Sequence, residues 1–125
     1  MSSEMSKPII EAELLFDANG KPEFVQRGRK HYRINLKTKN APQDTYAVTY
    51  LLDESYQDPV REVRDRDSHF QLQTTSFGDY KVSAQVRRPT GISVVTVGLA
   101  DALLEKYGDS LEPAVQEALR DIREN

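Results

Sequence analysis

Between Tyr80 and Arg87 the chain alternates with a period of two. Tyr80, Val82, Ala84 and Val86 fall on one face, and Lys81, Ser83, Gln85 and Arg87 on the other. Side chains that alternate this way belong to a strand with one face buried, and a helix cannot use the pattern. The same rhythm recurs along the chain. Ile10, Ala12, Leu14 and Phe16 oppose Glu11 and Glu13, while Tyr32, Ile34, Leu36 and Thr38 oppose Arg33, Asn35 and Lys37. Tyr46, Val48, Tyr50 and Leu52 can share a face, as can Phe70, Leu72 and Thr74. Ile92 to Val97 is β-branched enough for a last strand. Between these runs lie turn formers: Asp17-Ala18-Asn19-Gly20, Asn40-Ala41-Pro42-Gln43-Asp44 and Arg88-Pro89-Thr90-Gly91. The Asn-Gly pair suggests that Phe24-Val25-Gln26 returns as hairpin partner to the first strand, before Gly28 breaks the run. Arg61 to Asp67 carries six charges and reads as a solvated edge segment or turn.

After Gly98 the period lengthens. Leu99, Ala102, Leu103 and Lys106 suit a short helix, with Gly108 as its C-terminal cap. Asp109 or Ser110 then caps a second helix with Pro113 in its first turn. Leu111, Ala114, Val115, Ala118, Leu119 and Ile122 form its apolar stripe. Roughly eight short strands followed by helices at one end predict a mainly β fold, an antiparallel β-sandwich. The expected organisation is a disordered start over 1–8, the sandwich over 9–97, and helices over 98–125 packed on or beside it. The helical stripe could instead serve dimerisation or docking, which leaves the oligomeric state open.

Composition removes several functions. The chain of 125 residues is one domain's length, and it has no cysteine, so disulfides and thiolate zinc sites are excluded. A net charge of −3 gives no general attraction to nucleic acid or membrane. No run approaches the ~18 apolar residues of a membrane helix, and no signal-peptide core precedes Ile9, so a cytoplasmic location is expected. The histidines, His31 and His69, belong to no catalytic spacing. Asp65, Asp67 and His69 match no established metal site, and no cofactor-binding motif or nucleophile elbow occurs. These features predict a protein that is not an enzyme and needs no cofactor.

Lys21, Arg27, Arg29, Lys30, Arg33, Lys37 and Lys39 stand against one acid, Glu23, in that stretch. Such a run keeps an exposed sheet face soluble or contacts an acidic partner. It lacks the interleaved aromatics of a nucleic-acid platform.

Two loops remain, Asp53-Glu54-Ser55-Tyr56-Gln57-Asp58-Pro59 and Ser76-Phe77-Gly78-Asp79-Tyr80, each following a strand. If they meet at one end of the sandwich, Tyr56, Phe77 and Tyr80 line a shallow aromatic slot. Ser55 and free backbone groups at Gly78 would supply its polar contacts. The same residues read equally as rim side chains that plug the end of the sandwich, with Asp53, Ser55 and Asp58 as turn formers.

Leu52-Asp53-Glu54-Ser55-Tyr56-Gln57-Asp58-Pro59-Val60-Arg61 resembles the YEATS-domain signature. Ser76-Phe77-Gly78-Asp79-Tyr80 resembles that family's Gly-Trp-Gly-Glu-Phe stretch, and His31-Tyr32-Arg33-Ile34 its earlier strand. The likeness covers about residues 29 to 97 and is nearest to the prokaryotic branch. It implies an immunoglobulin-like sandwich and a module that binds a peptide or protein ligand, with acylated lysine in an aromatic slot. By motif position it assigns the ligand to Asp53, Ser55, Tyr56, Phe77, Gly78 and Tyr80. Ser55 would bond the acyl amide while the three rings stack around the acyl group. The chain departs from the pattern where Asp53 replaces a histidine, Phe77 a tryptophan, and Tyr56 and Tyr80 phenylalanines. Phe24 is its one candidate for an aromatic near Gly28.

Overall fold

A computed structural model describes residues 7–125, arranged as two antiparallel sheets and two C-terminal helices. The expected disorder over 1–8 falls largely on residues 1–6, outside the described residues. One sheet holds β1 (Ile9–Leu14), β2 (Phe24–Arg27), β3 (Arg29–Lys39) and β6 (Leu72–Ser76). The other runs β5 (Val60–Val63), β4 (Ala47–Leu51), β7 (Lys81–Arg88) and β8 (Gly91–Gly98). The architecture is mainly β, as the alternation requires.

The long strand β3 organises the first sheet. Its later half pairs with β1, from Leu14 opposite Ile34 to Ile9 opposite Lys39. Its start pairs with β2 across Gly28, whose φ of +74° suits glycine in so tight a reversal. The expected β1–β2 hairpin is therefore corrected. The Asn-Gly turn forms, but β2 folds onto β3, and only Phe16 and Pro22 bridge on the other side. Phe16 is consequently exposed rather than inward-facing. Tyr32, Ile34, Leu36 and Thr38 are all buried against Val48, Tyr50, Val82, Ala84 and Val86 of the facing sheet.

Two expectations fail at element boundaries, and the solvated edge segment expected from Arg61 proves to be part of a strand. Val60–Val63 forms an edge strand on β4 although Arg61 and Glu62 lie inside it, because an edge strand can send charged side chains to water. Tyr46 precedes β4 and is exposed, whereas Ala47 and Thr49 are buried along with Val48 and Tyr50. Thr49 stays satisfied by accepting from Arg87 Nε at 2.8 Å. Phe70 does not alternate with Leu72 in one strand. His69 and Phe70 both have positive φ, 60° and 55°, and this bend drives the Phe70 ring into the core. The buried Tyr50 hydroxyl holds the bend by donating to the Phe70 carbonyl at 2.7 Å, and Thr38 Oγ1 lies 2.8 Å from the same hydroxyl. Burial pushes the Tyr50 phenol up to about 12.

Helix α1 (Leu99–Tyr107) packs on β1 and β8, and α2 (Pro113–Glu124) on α1. Pro113 begins α2, where its missing N–H costs nothing. Val115, Ala118, Leu119 and Ile122 are buried in the same core as the sheets, and Leu111, outside the helix, is fully exposed. Four of the six stripe residues are thus buried within the chain. Gly108 is needed for space, not for handedness. Its φ is −56°, and a Cβ there would stand 2.6 Å from the Leu104 carbonyl oxygen.

Candidate functional site

β4 ends at Leu51 in one sheet and β6 at Ser76 in the other, and both chains leave the sandwich at the same pole. The loops that follow face each other across an open cleft of about 360 Å³. Asp53, Ser55, Tyr56, Phe77, Gly78 and Tyr80 all line it. Residues separated by two strands and a turn in the chain are brought together because β6 crosses to pair with β3, while β7 returns to β4.

The first loop folds by local hydrogen bonding. The Asp53 carboxylate accepts the Ser55 amide at 3.0 Å, and the Asp53 carbonyl accepts the Tyr56 amide at 3.1 Å. This is an Asx turn, which short acidic side chains favour. The Ser55 hydroxyl and then its amide hold the Asp53 carboxyl below its ordinary value. Tyr56 is driven inward by the turn and packs against the core.

Tyr56 and Tyr80 form one wall. The Tyr56 hydroxyl donates to the Thr75 carbonyl, and its oxygen lies 3.0 Å from that of Tyr80. A hydroxyl has one proton, so Tyr80 is the donor between the two. Burial raises both phenols, and for Tyr80 the neighbouring Tyr56 raises it further.

Phe77 stands on the other side, at the edge of exposure. His31 meets its ring at 5.2 Å between centroids, and the Arg29 guanidinium lies 5.2 Å from the ring centre. Gly78 is buried against the end of α2, where a Cβ would come within 2.8 Å of the Asn125 carbonyl carbon. Its backbone is not free, contrary to expectation. The Ser76 hydroxyl donates to the Gly78 carbonyl at 2.6 Å and lies 3.3 Å from the Gly78 amide. The loop is anchored to the helices as well. The Asp79 carboxylate accepts the Ala100 amide at 2.9 Å and the Tyr80 carbonyl accepts the Leu99 amide at 2.8 Å.

Sequence reasoning missed Arg27, His31 and Asn125, which also line the cleft. His31 was visible as the residue before Tyr32 in an alternating strand, and β3 carries it beside Phe77. Phe24 does not supply the missing aromatic. It packs edge-on against Tyr32 at 5.8 Å, with Lys30 over its ring at 5.0 Å, away from the cleft lining. Chemically the cleft offers aromatic walls, hydroxyl and amide groups, the His31 ring, and the charges of Arg27, Asp53 and Asp79.

Comparison with known proteins gives the same architecture. No curated protein sequence matches the chain. Among solved structures, "The Yaf9 YEATS domain Recognizing H3K122suc Peptide" superposes with a TM-score of 0.52 at 17% identity, covering 74% of this chain and 69% of that one. The crystal structure of the yeast AF-9 homolog protein Yaf9 gives 0.53 at 18% identity, covering 74% of this chain and 65% of that one. At such identities the likeness speaks for the immunoglobulin-like YEATS fold. A family model described as prokaryotic YEATS domain matches residues 31–95. With both signature loops inside that match, this chain belongs to the prokaryotic YEATS domain family.

Proposed function

We propose that the chain is a non-enzymatic binding module that takes a flat side-chain group of a peptide into the cleft between its two loops. The observation that carries the reading is the convergence of Tyr56, Tyr80 and Phe77 on one open cleft, beside the Ser55 side chain. Aromatic walls suit a planar, weakly polar group, because ring faces and amide planes stack. An acylated lysine is such a group, and the Yaf9 domain of similar fold was solved with an H3K122suc peptide. Ser55, exposed at the loop tip, is the side chain nearest in kind to an amide partner. Asp53, where readers of this family carry histidine, is occupied in shaping the loop rather than stacking.

The test is an NMR titration of the full chain with peptides that differ only in acetylation of one lysine. Shifts centred on Ser55, Tyr56 and Phe77 with the acetylated peptide alone are expected. Silence at those residues with millimolar peptide removes the reading.

A second reading, assembly through a sheet edge, draws on β8. This outer strand has no charged residue, and Ile92 and Val94 are 52% and 61% exposed. Edge strands in soluble proteins are usually protected by charge, and an unprotected one invites pairing. Light scattering across protein concentration decides it: a dimer that Val94→Lys dissociates supports assembly, and a monomer at all concentrations ends it.

A further inference from the structure

The basic run read from the sequence is largely neutralised by its neighbours. Lys37 pairs with Glu13 at 3.4 Å, Arg33 with Glu23 at 3.4 Å and Lys30 with Glu117 at 3.0 Å. Arg27 and Arg29 are different. Among the described residues neither has a carboxylate within ion-pair distance, although both are exposed at the mouth of the cleft. Arg27 lines the cleft, and Arg29 is held over the Phe77 ring.

The hairpin also sets these two arginines directly opposite each other across Gly28. Like charges facing each other across a strand pair repel, and an anion between them would relieve the repulsion. The nearby carboxylates point to other partners. Asp53 accepts Ser55, Asp79 accepts Ala100, Asp121 accepts the Tyr32 hydroxyl at 2.6 Å, and Glu117 holds Lys30. A second recess, lined by Gly28, Arg29, Lys30, Glu117, Asp121 and Asn125, shares Asn125 with the cleft, and its two carboxylates are bonded to Lys30 and the Tyr32 hydroxyl.

We propose that the peptide partner is acidic, with Arg27 and Arg29 binding carboxylates on residues that flank the side chain held in the cleft. This inference rests on the cleft reading above for the position of the peptide. Guanidinium groups suit carboxylates because their planar donors match two oxygens at once.

The experiment uses four synthetic peptides with the full chain. Two carry one acetyl-lysine, flanked by Asp and Glu in one and by Lys and Arg in the other; two are their unacetylated counterparts. The acidic acetylated peptide is expected to bind about fivefold more tightly than the basic one at low salt, as two exposed ion pairs would give. The preference should shrink with added sodium chloride. It should disappear in the double variant Arg27→Gln/Arg29→Gln and reverse in Arg27→Glu/Arg29→Glu. Both sites are exposed, so circular dichroism should show the variants folded. Equal affinity for both flanks, a preference that survives the double variant, or no shift at Arg27 and Arg29 with millimolar acidic peptide overturns the proposal. The two readings fail separately. Acetylation-dependent binding that ignores flanking charge sinks the arginine site and leaves the cleft. Binding of acidic peptides that needs the arginines but ignores acetylation does the opposite.

Discussion

The rings of Tyr56 and Tyr80 meet edge to face at 5.5 Å between centroids, and their hydroxyls lie 3.0 Å apart. One residue comes from the loop after β4 and the other from the loop before β7. The pair therefore joins the two loops as well as lining the space between them. With Tyr56 donating onward to Thr75, a short chain of hydroxyls ends on the β6 backbone.

Tyr56→Phe removes the middle of that chain. It leaves the Thr75 carbonyl and the Tyr80 hydroxyl without their partner in a half-buried place, which costs about 1–2 kcal/mol. Tyr80→Phe leaves the Tyr56–Thr75 bond intact and should cost less. Urea unfolding of both variants checks the order, and equal losses would contradict the assigned donors.

Ile122 is fully buried although it lies near the end of the chain. Ile122→Ala should cost about 2–4 kcal/mol, the range for a buried aliphatic truncation. Deleting residues 109–125 removes Val115, Ala118, Leu119 and Ile122 together from the common core, and should leave a chain that does not fold cooperatively. A truncated chain with a sharp thermal transition would show that the sandwich stands alone.

Gly78→Ala tests the contact between the second loop and α2. The new methyl meets backbone atoms of Asn125 at 2.8–2.9 Å, so the last turn of α2 must move. A loss of about 1–3 kcal/mol is expected, as for overpacking. Hydrogen exchange should quicken at the amides of the last helical turn. Unchanged exchange there would place the adjustment in the loop instead.

The Asp53 carboxyl is held below its ordinary value by Ser55, so its ionised form is favoured in the folded loop. The contribution to loop order is complete above the ordinary carboxylate range and is lost as pH falls through the depressed folded value. Carboxyl-carbon NMR should find Asp53 titrating below a free aspartate and moving up toward it in Ser55→Ala. An unmoved titration would mean that Ser55 is not the cause.

Much of the fold was legible because its principal strands bury one face. Tyr32 to Thr38 and Tyr80 to Val86 carry the alternation openly, and the helical stripe of α2 is equally plain. The edge position of Arg61 was legible, but Val60–Val63 was hidden as a strand because it pairs with β4 alone and carries two charges in four residues. Phe70 misled because left-handed backbone at His69 and Phe70 breaks the period without a glycine or proline to announce it. The six cleft residues were legible through two loop motifs. Arg27 and Asn125 were not, since their positions depend on how β2 folds onto β3 and where α2 stops, whereas His31 could be read from its place before Tyr32 in β3.

The bond between Asp79 and the Ala100 amide makes the second loop an extension of the helical layer. Carrying Phe77 outward on a moving loop would uncap the first turn of α1, so the spacing between the two walls resists change while single rings can still rotate. On the cleft reading proposed above, an entering side chain would have to fit the spacing it finds rather than push the walls apart.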